Sequence, residues 1–253
     1  MSETGTTDTG LFFNPLDPGY IANPFPHLAE LREQIPVHHT LAGPHCVFRY
    51  DDVFALLRDP AHSVDDKNAD LAATDRGQTF EHIIADTGLE PPEAGHSILN
   101  IDPPDHTRLR RLVSKAFTPR TIEALRPRVQ AMVDATLDRM AAAGQADLVE
   151  ELAFPLPFDV ISEMLGMPES DKDQIRDWSA ALVKTLDPII TDDEVREALI
   201  AAQAMDRHIE QVIEWKRANP ADDLLTAMIE VEEDGDRMST IELRDQVNLL
   251  FVA

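Results

Sequence analysis

The chain contains a single cysteine, Cys46, in 253 residues. An internal disulfide is excluded, and such cysteine usage suits a reducing, cytoplasmic setting. Basic residues are also scarce: 22 Lys and Arg stand against 47 Asp and Glu, a net charge of −25. A field of that sign repels phosphate backbones and anionic headgroups, which argues against nucleic-acid and membrane-surface partners. No apolar run approaches the roughly 18 residues that a membrane-spanning helix needs. The opening M-S-E-T-G-T-T-D-T-G has neither the basic nor the apolar part of a signal peptide, so residues 1–10 read as a flexible lead. A phosphate-cradling Gly loop, H-E-x-x-H and G-x-S-x-G are all missing. So are internal repeats, low-complexity segments and any linker between domains.

What remains is 43% apolar, enough for a real core, and largely helical in pattern. L-A-E-L-R-E-Q suggests a first short helix. Val37–Thr40 and Cys46–Phe48 are short strand candidates around the turn Ala42-Gly43-Pro44. Asp51 is placed to cap a helix carrying Val53, Phe54, Leu56 and Leu57. From Asp59 to Asn100 the periodicity dissolves apart from a weak helical signal near Phe80–Ile84. An irregular stretch of that length is usually functional or mobile. After Asn100 the chain is almost all helix. Helices are expected over Asp102–Phe117, Pro119–Leu125, Pro127–Ala143 with a stop at Gly144, and Phe158–Leu165 with a stop at Gly166. Ser170 with Asp173 opens the next, and Thr191 with Glu194 opens the longest. Leu224–Val231 is short, and Ser239 with Glu242 forms a capping box for a final helix. The stripes Val129, Met132, Val133, Leu137, Met140 and Val195, Ala198, Leu199, Ala202, Met205, Ile209, Val212, Ile213 read as core faces. The last helix stops at Leu-Leu-Phe-Val-Ala without Gly, Pro or a basic turn, which predicts that these residues are the front portion of a longer protein.

One segment concentrates chemistry: D-P-P-D-H-T-R-L-R-R-L-V-S-K-A-F-T-P-R, Asp102 to Arg120. Asp102, Pro103 and Pro104 read as a helix start. His106 and Arg110 are four apart and share a face. A guanidinium fork with a second donor beside it is suited to a carboxylate, so the pair is a candidate anion clamp. Spacing alone equally fits a solvated basic face with ordinary ion pairs, since Arg108, Arg111 and Lys115 lie on the same helix. Other groups carry less. Cys46 sits in a strand pattern without a partner. His38 and His39 are adjacent and point to opposite faces of a strand. The acidic run Glu230–Asp236 resembles a calcium loop but has Ile241 where the bidentate Glu belongs, so it reads as a solvated turn. No metal ligand set and no catalytic residue emerges.

The Asp102–Arg120 segment resembles the third major helix of the bacterial haem-thiolate monooxygenases, the cytochrome P-450 family. N-P-F-P-H-L-A-E-L-R, F-R-Y-D-D-V-F-A-L-L-R-D-P, F-P-L-P-F-D-V-I-S-E-M-L-G-M-P and the closing L-L-F-V-A resemble further family segments in the same order. The resemblance implies a mainly α cytochrome P-450 fold with small β-sheets, with residues 11–253 forming an incomplete single domain. It implies haem b (iron protoporphyrin IX), with His106 and Arg110 holding a propionate. Ile98 and Leu99 would approach the substrate, and Leu249, Val252 and Ala253 would open the helix that lines the distal pocket. Arg108, Arg111 and Lys115 would lie where a ferredoxin-type acidic electron donor docks. A complete protein, expected to be a monomer, would insert one oxygen atom from O2 into an organic substrate. The family's oxygen-activation motif and axial Cys have no counterpart in these residues, so the chain alone is expected to be inactive. A truncated product or haem-free scaffold, and an unrelated helical interaction module, remain compatible with the sequence.

Overall fold

The computed structural model describes residues 11–15, 17–40, 45–69, 75–89, 95–187 and 190–252. The proposed lead, the Ala42-Gly43-Pro44 turn and Ala253 lie outside them. The described residues fall into two compact units, one made by the chain up to Ser63 and one made chiefly by Gly77 onward.

In the smaller unit, α1 (Pro18–Ala22) is capped by Asp17, whose carboxylate accepts from the amides of Gly19 and Tyr20. Helix α2 (Pro24–Gln34) starts on two prolines and buries Leu31. Strands β1 (Val37–His39) and β2 (His45–Val47) pair antiparallel with His38 opposite Cys46. Helix α3 (Tyr50–Leu56) follows, and its N-cap is Arg49, not Asp51; Asp51 lies inside the first turn. An acid there still favours the helix through its dipole.

The larger unit holds the main core. Helix α4 (Asp75–Thr87) presents Ile83 to Val195 and Leu199. Helix α5 (Asp105–Ala116) begins three residues later than the sequence suggests. Asp102 does not cap it; its carboxylate accepts from the Val64 amide at 3.0 Å and the Asn68 side chain at 3.3 Å. Helix α6 (Pro119–Ala143) is one element where the sequence reads as two. Pro127 removes the bond to the carbonyl of Glu123, an exposed residue that water can serve. Its stripe is only half-buried, and Leu137 is exposed, so this face is a core margin.

A π turn (Val149–Ala153) leads into α7 (Pro155–Leu165). Gly166 ends α7 with φ 66°, and an added Cβ there would run into the carboxylate of Asp223 and the ammonium of Lys216. Those two groups form an ion pair that is almost wholly buried. Helix α8 (Lys172–Val183) follows a 3-10 turn, and Ser170 donates to Asp171 instead of capping it.

Helix α9 (Asp192–Ala218) opens on the expected Thr191–Glu194 capping box, and its apolar stripe is the centre of the core. Asp223 caps α10 (Leu224–Glu230) through the Thr226 amide. Helix α11 (Thr240–Val252) opens on the expected capping box: the Ser239 amide donates to Glu242 at 2.7 Å and the Glu242 amide to Ser239 at 3.2 Å. It packs mainly on α9 and buries Leu243, Val247 and Phe251 together with the polar Arg244 and Gln246. No helix among the described residues is long and apolar enough to cross a membrane.

Candidate functional site

Helix α5 has three faces, which follow from about 100° of rotation per residue. Leu109, Leu112 and Ala116 enter the core. Arg108, Arg111 and Lys115 form a second face. His106, Arg110, Val113 and Phe117, spaced four, three and four apart, fall within about 60° of one another on the third.

The second face is tied to this chain's own acids. Arg108 reaches Asp236 at 3.4 Å and also pairs with Glu242; Arg111 pairs with Glu233, and Lys115 meets Glu233 at 3.2 Å. Glu233 and Asp236 bridge a tight turn whose centre, Asp234 at φ 55° and Gly235 at φ 83°, is left-handed. Glycine adopts that geometry at little cost, which aims both acids at α5. Burial alone would lower the pKa of Arg108, but the charges of Glu242 and Asp236 outweigh it and hold the guanidinium up.

The third face is different. His106 is half-buried, Arg110 is exposed, and neither side chain has a partner among the described residues. Their stripe continues into an apolar hollow of about 240 Å³ lined by Ile98, Val113, Phe117, Met228, Gln246, Leu249 and Leu250. His106 and Arg110 thus lie on the same helical stripe as Val113 and Phe117, two of the residues that line the hollow.

Of the pocket residues expected from the sequence, Ile98 and Leu249 line this hollow. Leu99 does not; it is 59% exposed. Val252 lines a different apolar hollow of about 500 Å³, with Phe154, Phe158, Ile161 and Val183. Val113, Phe117, Met228, Gln246 and Leu250 were not singled out in the sequence as site residues. The first two could have been found by extending the His106–Arg110 stripe by two turns. A groove of about 500 Å³ between α6, α7 and α10 has Arg120, Arg128, Glu163 and Asp222 on its rim. Arg128 and Glu163 there already pair with each other, and the mixed charge does not favour one ligand class.

Cys46 is half-buried, and burial pushes its thiol up, which opposes a thiolate. His38 is half-buried and its neighbour His39 is exposed, as alternation on a strand requires. Among the described residues no group of three or more His, Cys, Asp or Glu is placed to hold a metal ion.

No protein-family model matches the chain. Individual proteins do. Cytochrome P450 107B1 of Saccharopolyspora erythraea is 43% identical over 213 residues, which cover 82% of this chain and 48% of that protein. Cytochrome P450 monooxygenase PikC of Streptomyces venezuelae is 38% identical over 261 residues, covering all of this chain and 58% of PikC. Among solved structures, the bacillaene polyketide synthase cytochrome P450 PksS of Bacillus subtilis superposes with a TM-score of 0.75 at 33% identity, covering 95% of this chain and 57% of PksS. P450BioI, solved with an acyl carrier protein carrying hexadec-9Z-enoic acid, gives 0.77 at 25% identity over 92% of this chain and 58% of its own. The chain spans about half the length of the curated relatives it matches, and over that span it belongs to the bacterial cytochrome P450 family.

Proposed function

We propose that this chain builds one wall of a haem site. We propose further that a chain of its relatives' length is a monooxygenase that inserts one oxygen atom from O2 into an organic substrate. The observation that carries the reading is the third face of α5: two side chains suited to a carboxylate, without a partner among the described residues, on a stripe that leads to an apolar hollow. Haem b has that division of character, with carboxylate tails on an apolar ring, so the residues fit the group. Arg110 would hold a propionate through its planar fork and His106 through a ring N–H. Val113, Phe117 and Leu249 would give apolar contact and exclude water.

The haem, when bound, supplies the oxygen chemistry. A cysteine that would hold the haem iron would come from sequence other than these residues, since Cys46 sits in the short strand β2 opposite His38. Arg108, Arg111 and Lys115 would serve an acidic, ferredoxin-type electron donor only by releasing Glu233, Asp236 and Glu242, so that docking is a competition. Equilibrium haem titration with a reduced-CO absorbance spectrum tests the reading. This chain should take up haem without a red-shifted thiolate band, and a chain extended to the length of its relatives should show that band. An extended chain that binds no haem would refute it.

A further inference from the structure

The segment at 95–100 is not merely near α11; two side chains of that helix grip it. The His96 amide donates to Asp245 at 2.8 Å, and the Ile98 amide donates to the side-chain oxygen of Gln246 at 3.4 Å. The same Gln246 returns a bond from its nitrogen to the His96 carbonyl at 3.1 Å. Gln246 is 3% exposed, so both ends of a sealed amide are satisfied by one short piece of backbone. The His96 ring stands 3.5 Å from Asp245 but is not aligned for a hydrogen bond. Within the segment, the Ser97 hydroxyl donates to Asn100 at 2.9 Å and accepts from the Leu99 amide at 3.3 Å. The result directs the backbone so that Ile98 faces the hollow while Leu99 faces solvent. Gln246 also lines the hollow, so the group that sets the wall is itself part of it.

We propose that Asp245 and Gln246 are positioning residues: they latch the 95–100 segment onto α11 and thereby fix Ile98 as a wall that limits the size of ligand the hollow accepts. The specificity role rests on the haem-site reading; the latch does not. A buried amide whose donor and acceptor are both used by a loop is a costly arrangement if the loop leaves, because both polar atoms are then stranded in an apolar wall. The loop is therefore held in one place by the helix, and the ligand-facing residue with it. Arg244, the residue before the latch, pairs with Asp245 at 2.9 Å and Glu210 at 3.0 Å, which orients Asp245 from its other side.

Amide hydrogen exchange on this chain tests the latch directly. Gln246→Met keeps the volume but removes donor and acceptor, and should speed exchange at Ile98 about tenfold; Asp245→Ala should do the same at His96. Asp245→Asn keeps an acceptor oxygen and should restore protection at His96, a rescue that loss of packing would not give. In the haem-loaded protein of relatives' length, absorbance titration with imidazole and with 4-phenylimidazole reads the size limit. Gln246→Met should change the ratio of the two dissociation constants about tenfold, and Arg126→Ala, at an exposed pair on α6, should leave it unchanged. Unchanged exchange at both amides would overturn the latch. Faster exchange with an unchanged ratio would overturn the specificity role. Failure of the extended protein to bind haem would remove the haem-site reading while the exchange result stood.

Discussion

Two faces of α5 carry basic side chains within twelve residues, yet they end in opposite states. On one, Arg108, Arg111 and Lys115 are neutralised by Glu233, Asp236 and Glu242. On the other, His106 and Arg110 have no ion-pair partner among the described residues and share a stripe with Val113 and Phe117, which line an apolar hollow. The acids lie more than 115 residues away in sequence, brought in by the turn after α10 and the first turn of α11. With 47 acids against 22 Lys and Arg, carboxylates are in ample supply; what sets Arg110 apart is its place on the stripe that leads to the hollow. Ion pairs on a half-exposed face contribute little to stability, whereas a guanidinium fork without an ion-pair partner among the described residues is available for a ligand.

A third kind of cation sharpens the contrast and carries the largest expected effect. Lys216 and Asp223 pair under Gly166 with side-chain exposures of 3% and 8%. Asp223→Ala strands the ammonium and also removes the cap of α10, so unfolding should become easier by about 3–5 kcal/mol. A denaturant midpoint within error of the parent would show that the pair is not sealed as described.

The internally paired face of α5 should behave quite differently. Glu233→Gln releases Lys115 and Arg111, whose side chains are 44% and 52% exposed, and should cost no more than about 1 kcal/mol, a loss that shrinks in high salt. If these cations serve an acidic donor, the same substitution should tighten donor binding at low ionic strength, because an internal competitor has been removed. Weaker donor binding in Glu233→Gln would break the competition argument.

The smallest effect is a pH dependence. Burial pushes the Asp206 carboxyl up, and the nearby Arg244 guanidinium offsets only part of that. A carboxyl that holds its proton more firmly folded than unfolded contributes stability that is full below the ordinary carboxylate range and is lost as pH rises from there through its raised folded value. Asp206→Asn should flatten that decline, read as thermal midpoint against pH. A steeper decline in the variant would show that pairing with Arg244 dominates burial.

Parts of this molecule that are set by neighbouring residues are legible in its sequence. Capping boxes at Thr191–Glu194 and Ser239–Glu242, and the left-handed stops at Gly144 and Gly166, are set by residues within four positions of each other, and all four appear where expected. Pro127 misleads because its missing bond falls on an exposed turn, where water tolerates it. Ser170 and Asp102 look like caps by type but find nearer or better partners in Asp171, Val64 and Asn68. The shared face of His106 and Arg110 is readable from spacing. The neutralisation of Arg108 by Asp236, and the grip of Gln246 on His96 and Ile98, join residues more than 120 positions apart and have no local signature.

Haem retention in two neighbouring variants tests the assignment of the α5 faces most directly. Dissociation of haem from the loaded protein into an excess of apomyoglobin can be followed by absorbance. Arg110→Ala should weaken retention about 10- to 150-fold, the value of a lost hydrogen bond to a charged group. His106→Ala should be milder, and the double variant less than additive because both donors would serve one carboxylate. Arg111→Ala should leave retention unchanged. Haem held as tightly by Arg110→Ala as by the parent, with loss in Arg111→Ala, would contradict the account.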